Sequence, residues 1–159
     1  MEMSSQDNQM RNWRRALHQV PEFGFDTKKT AAFVIEKLKS FGIDNITDGV
    51  GGTGVVATLK RGTSRKAIAI RADMDALMIE EKTNLEYRST IPGIMHACGH
   101  DGHTATLLGV AETLAKGDYF DGIIHFIFQP AEEWGKGAQA MIDDGLIQRF
   151  TFEEIWGFH

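Results

Sequence analysis

Apolar residues at Ala31, Val34, Ile35 and Leu38 recur three and four apart, which puts them on one face of a helix. Asp26 or Thr27 can cap that helix, it runs to about Ser40, and Gly42 stops it. A shorter helix is predicted over 11–19, ended by Pro21, with residues 1–10 read as a flexible tail. Leu107, Leu108, Ala111 and Leu114 define a helix over 104–116, and another is predicted over 137–146. Strand patterns lie between them. Residues 53–60 and 66–72 read as two strands joined by the turn Arg61-Gly-Thr-Ser-Arg65. Residues 122–128, Gly-Ile-Ile-His-Phe-Ile-Phe, are almost wholly apolar and stop before Pro130, which suits a strand buried on both faces of a sheet with parallel members. A last strand is predicted over 154–158. The stretch 78–95 holds Pro92 and Gly93 and reads as irregular, with room for a short hairpin.

Strands alternating with helices predict an α/β fold: a mixed, mostly parallel sheet with helices on both faces, in one unit over 11–159. Such sheets place their sites beyond the C-terminal ends of strands. The acidic and imidazole residues obey that rule. Asp73 and Asp75 follow one predicted strand, Glu132 and Glu133 follow another, and His159 ends a third.

Composition narrows the class. A formal net charge of -5, with no long Lys/Arg run, argues against nucleic acid as a partner; Arg11, Arg14 and Arg15 read as a solvated helix face. No apolar run reaches the roughly 20 residues that cross a bilayer, and the polar start lacks the apolar stretch of a signal peptide, so no membrane partner is expected. A single cysteine, Cys98, permits no internal disulfide and points to a reducing, cytoplasmic setting.

The densest chemistry lies in Met95-His-Ala-Cys-Gly-His-Asp-Gly-His103. A thiol and imidazoles packed so closely form a set of metal ligands, and the glycines let the backbone bend around an ion. Cys98 and His100 stand two apart, so both can point to one side of an extended or tightly turned segment. The bland alternative is a buried cysteine beside unrelated surface histidines. The pair Glu132-Glu133 is by itself ordinary surface; its position directly after a buried strand makes it a candidate for one metal ligand and one proton carrier. Asp73 and Asp75 face the same way just past a strand, either as turn residues, as metal ligands or holding a ligating histidine in orientation, and Asp101 and His103 are further candidates for that orienting role. His18 and His125 read as structural, and Gly51-Gly-Thr-Gly54 as a turn without phosphate-loop spacing.

Together the marks Arg14-Arg-Ala-Leu-His-Gln-Val-Pro-Glu22, Gly51-Gly-Thr-Gly-Val-Val-Ala57, Arg71-Ala-Asp-Met-Asp-Ala-Leu77, Met95-His-Ala-Cys-Gly-His-Asp-Gly-His-Thr104, Phe128-Gln-Pro-Ala-Glu-Glu133 and the terminal Gly-Phe-His159 resemble the N-terminal part of a metal-dependent peptidase and amidohydrolase family. That family includes hippurate hydrolase, N-acyl-L-amino acid amidohydrolases and auxin-conjugate hydrolases. The resemblance implies a zinc-peptidase-like catalytic domain that hydrolyses N-acyl amino acids to a carboxylic acid and an amino acid. It implies Cys98, His100, Glu133 and His159 as metal ligands and Glu132 as the base that takes a proton from water and returns it to the leaving amine. Asp73 and Asp75 match a motif that reads His-x-Asp in sister branches. The implied cofactor is two divalent ions per intact site, from zinc, manganese, cobalt or nickel. The implied partner is a small N-acyl amino acid, and the intact enzyme is expected to be a homodimer or larger. Met78 departs from a usual proline and Ile94 from a common basic residue. Family members run to more than twice this length, with a lid and dimerisation domain and further site residues beyond it. The resemblance therefore leaves a second expectation, a truncated metal-binding relative without turnover. A structural-metal or storage module is disfavoured by the mixture of carboxylates with one thiol.

Overall fold

The computed structural model describes residues 4–157 and residue 159. Helix α1 (Ser5–Gln19) begins earlier than its apolar pattern suggests. Ser4 and Asp7 form a capping box, each side chain accepting from the other's backbone N–H, which fixes a polar first turn that hydrophobic periodicity cannot reveal. Residues 5–10 are therefore helical rather than a tail, and residues 1–3 lie outside the described part. Helix α2 (Lys28–Ser40) starts after Thr27, but its free N–H groups are satisfied from outside the cap. The Glu22 carboxylate accepts from Lys29 N at 3.1 Å and Thr30 N at 2.8 Å.

The sheet contains β1 (Ile46–Val50), β2 (Gly54–Arg61), β3 (Ala67–Asp73), β4 (Gly122–Gln129) and β5 (Glu154–Gly157), in the order β1-β2-β4-β3-β5. β4 pairs parallel with β3 and antiparallel with β2; β3 pairs parallel with β5, and β1 antiparallel with β2. The two early strands are thus not neighbours: β4 lies between them. β1 has no counterpart among the predicted strands. The predicted last strand ends at Gly157, and Phe158 lies outside the described residues. In the irregular stretch a single bridge, Leu77 to Met95, takes the place of a hairpin.

Strand parity sorts the core into two layers. Ile124, Phe126 and Phe128 of β4 and Val55, Ala57 and Leu59 of β2 face helices α1, α2 and α3 (His100–Lys116). Ile127 and Val56 face the other way, against Met141 of α4 (Gly137–Asp143) and Leu146 of α5 (Leu146–Arg149). These last two helices replace the single one predicted over 137–146; Gly145, at φ 87°, breaks the run. α3 likewise starts four residues early, at His100, with left-handed Gly99 before it.

His125 also faces the second layer. Its ring is buried, edge-on to Phe150 and Phe152, and its Nδ1 shares a hydrogen bond with the Thr58 hydroxyl at 2.9 Å. Burial holds its pKa below the ordinary 6.5. An unfolded His125 binds its proton near pH 6.5 and the folded one only at lower pH. Its contribution to stability is therefore complete above 6.5 and is lost as pH falls through the folded value. Melting temperature is expected to drop between pH 7.5 and 5, less steeply in His125→Gln. His96, which burial lowers to about 4, retains part of the dependence in that variant.

β5 is exposed along its whole length, and Ile155 and Trp156, 52% and 63% exposed, point to opposite faces. A strand edge with apolar side chains recruits other strands. Light scattering is expected to rise with concentration, and Trp156→Lys to suppress the rise.

Candidate metal centre

The sheet register brings distant residues to one rim. Asp73, the last residue of β3, pairs with Gln129, the last of β4. Gly157 pairs with Arg71, so His159 emerges level with Asp73, and its Nδ1 lies 3.5 Å from Asp73 Oδ2. α3 points its N-terminal end at the same rim and is tied there by the Thr104 hydroxyl, which donates to the Asp73 carbonyl at 2.8 Å. The positive end of that helix faces the carboxylates.

His100 is the centre of the arrangement. Its Nδ1 donates to the Asp75 carbonyl at 2.8 Å, which leaves Nε2 as the lone-pair nitrogen. Nε2 is buried and has no hydrogen-bond partner; it faces Asp73 Oδ1 at 3.7 Å, Glu132 Oε2 at 3.6 Å and Glu133 Oε1 at 3.7 Å. Glu133 Oε1 is likewise buried and unpartnered. Two ligands of one tetrahedral ion, each at roughly 2.0–2.2 Å, stand roughly 3.3–3.6 Å apart. These separations are too long for hydrogen bonds and fit donor atoms that share a cation. Ligand atoms of Asp73, His100, Glu132 and His159 all lie within 4.8 Å of one another. Carboxylates and imidazoles in one cluster can hold a divalent cation.

The surrounding charges are consistent with this. Burial alone raises the Asp73 carboxyl, but the His103 hydrogen bond at 2.7 Å and the charges of His100 and Arg71 outweigh it, and the group is held below its usual range. Arg71 donates to Asp73 at 2.8 Å and to Gln129 at 2.9 Å. Burial pushes His100 down, yet Asp75, Asp73 and Glu133 pull it above the ordinary value: the site attracts a cation. The Cys98 thiol lies against the Glu133 carboxylate. Although Cys98 is exposed, that contact, with some loss of solvation and the charges of Glu133, Glu132 and Asp73, pushes it up to about 11.

Asp75 organises the acid pair from beneath. Its Oδ1 accepts from Glu132 N at 2.9 Å and its Oδ2 from Glu133 N at 3.2 Å. The turn is further set by Ala131 at φ 49°, whose N–H donates to the Gly24 carbonyl at 3.0 Å.

The structure thus brings Asp73, His100, Glu132 and His159 into one group, with Glu133 and Cys98 beside it and Asp75 and His103 behind it. Asp101 goes elsewhere. Its carboxylate accepts from His18 Nδ1 at 2.7 Å, Arg14 Nε at 3.2 Å and Gly102 N at 2.9 Å, fastening α3 to α1. His18 also meets Glu81 at 3.3 Å. Arg14 and His18 were not legible as supports for this helix start, although their spacing of four on α1 puts them on one face.

A mixed sheet with an acid and imidazole cluster beyond its parallel strand ends is the architecture of a metal-binding α/β domain. The chain belongs to Peptidase family M20/M25/M40, whose model matches residues 69–159, more than half of it. It is 50% identical to the hippurate hydrolase of Campylobacter jejuni over 92% of this chain and 38% of that protein. It is 47% identical to the N-acyl-L-amino acid amidohydrolase of Geobacillus stearothermophilus, over 85% of this chain and 37% of that protein. The crystal structure of the YXEP protein of Bacillus subtilis, a dinuclear metal-binding peptidase of the M20 family, superposes with a TM-score of 0.91 at 39% identity, covering 98% of this chain and 43% of that one. The chain therefore spans under two-fifths of these curated relatives' own length. The mixed sheet with helices on both faces matches these neighbours, with four of the five strands running one way and β2 the other.

Proposed function

We propose that this chain supplies the metal-holding part of an amidohydrolase that cleaves the amide bond of N-acyl amino acids of the hippurate type. The observation that carries the reading is the buried, unpartnered Nε2 of His100 facing the unpartnered Oε1 of Glu133 at 3.7 Å. The names of the relatives, hippurate hydrolase and N-acyl-L-amino acid amidohydrolase, supply the substrate class. Cys98, His100, Glu133 and His159 are the proposed ligands, with Asp73 close enough to join them. Two ions per intact site follow the dinuclear relative. A divalent ion held there supplies Lewis acidity, which lowers the pKa of water and polarises an amide carbonyl.

The remaining steps belong to the chain. Glu132, partly open to solvent, takes a proton from water as it attacks the amide carbon and passes that proton to the departing nitrogen. Asp75 holds the backbone beneath both glutamates, so base and ligand keep a fixed separation. His103 and Arg71 keep Asp73 ionised. Asp101 ties the helix that bears His100 to α1. A cytoplasmic setting and a homodimeric or larger intact enzyme complete the proposal.

A second reading, metal binding without turnover, is favoured by one observation: the His159 side chain is 68% exposed, so the cluster is open on that side, and hydrolases exclude bulk water during chemistry. Calorimetric titration with zinc and manganese at neutral pH, followed by a hippurate hydrolysis assay, tests both. Metal uptake with turnover supports the first reading, and uptake without turnover supports the second. No uptake overturns both.

A further inference from the structure

Resting on that reading of the site, we propose that the cavity beside it receives an uncharged, planar aromatic acyl group, and that Trp134 is the residue that selects it. The cavity measures about 740 Å³ and lies between the turn at 20–29, the loop at 91–94 and Trp134. That is within the roughly 300–1,000 Å³ typical of small-molecule sites. Proton transfer and ion binding use none of its wall residues.

The walls are built for a ring. Trp134 is 45% exposed, yet its indole is held. Phe23 and Phe25 meet it edge-on, with centroids 5.1 and 5.6 Å away and planes at 77° and 71°. Gly24 lies beneath at φ 59°, and a Cβ there would collide with the indole. An indole fixed by two rings, with part of its surface open to a cavity, offers a stacking partner to another aromatic group. Ile91 and Ile94 add apolar lining. At the rim, Lys28 and Lys29 are balanced by Glu22 and Asp26, and Glu22 is already engaged in capping α2. A balanced rim over apolar walls suits a neutral hydrocarbon group rather than an ion.

The cavity is joined to the chemistry by main-chain bonds. Ala131, just before Glu132, donates to the Gly24 carbonyl at 3.0 Å, and Ala76, just after Asp75, donates to the Glu22 carbonyl at 2.8 Å. Phe23 bridges to Ala76, and Trp134 directly follows Glu133. The wall of the cavity and the acid pair thus belong to one turn.

Hippurate and N-acetylglycine share a carboxylate and an amide and differ in the ring. They are the probes for nitrogen-resolved NMR titrations of the 159-residue chain. Hippurate is expected to shift the Trp134 indole N–H and the Gly24 amide and to bind about tenfold more tightly than N-acetylglycine. Trp134→Ala is expected to abolish that difference, and Trp134→Phe, which keeps a ring over Gly24, to retain most of it. Equal affinity for the two probes, absence of binding by either, or an undiminished preference in a folded Trp134→Ala overturns the assignment. A zinc titration of the same samples separates the two ideas. Ring preference without zinc uptake leaves the cavity assignment standing and removes the hydrolase reading. Zinc uptake without ring preference does the reverse.

Discussion

Glu132→Gln is expected to lower hippurate hydrolysis by about 10²–10⁴-fold while leaving metal content unchanged. The substitution keeps the shape of the side chain and the backbone bond from residue 132 to Asp75. It removes the negative charge and with it the capacity to take up a proton. The metal measurement is essential, because Glu132 also belongs to the group of four whose ligand atoms lie within 4.8 Å of one another. Loss of activity with full metal content identifies Glu132 as the base. Loss of both identifies it as a ligand and leaves the proton transfer to another group. A suitable vehicle is a chimaera in which this chain replaces the matching 38% of the Campylobacter hippurate hydrolase, assayed beside its Glu132→Gln variant. An unaltered rate in the variant sinks the proposed role.

The second large effect is structural. Phe126→Ala is expected to cost about 3–5 kcal/mol of folding stability. Phe126 is fully buried in the central strand, paired with Ala57 on one side and Ile70 on the other, and belongs to the larger core cluster beneath α2 and α3. Neighbours in such a layer relax only partly, so a cavity remains where the ring was. Total stabilities run at about 5–15 kcal/mol, so the variant approaches the unfolding threshold. Urea denaturation checks it, with Tyr119→Ala as the comparison. Tyr119 is exposed, and its replacement is expected to stay within about 0.5 kcal/mol. Similar midpoints for the two variants would refute the assignment of Phe126 to the core.

Elements with strong periodicity were legible in the sequence. The α2 face at Ala31, Val34 and Leu38 and the apolar run of β4 appear where expected, because burial of those residues is what forms the elements. β1 was not legible: Ile46-Thr-Asp-Gly-Val50 has no alternation and is a strand only through its pairing with β2. The first turn of α3 was missed because Gly99, His100, Asp101 and Gly102 read as a loop; its helicity depends on bonds to Asp75, His18 and Arg14 from distant segments. The site shows the same division. Cys98, His100 and the acid pair were visible as local clusters, and the strand-end rule linked them to His159. Asp73 was a candidate from its place at a strand end; that its carboxylate reaches the group, and that Asp101 turns away from it, depends on strand register and helix packing, which no local pattern records.

Both oxygens of Asp75 are occupied by successive peptide amides. The base and the adjacent ligand are therefore mounted on one anvil: a single carboxylate holds the two peptides that carry them, whatever the length of the surrounding loop. Lengthening that loop after Trp134 should leave their seating unaltered, whereas Asp75→Ala, which removes both acceptors, should release it.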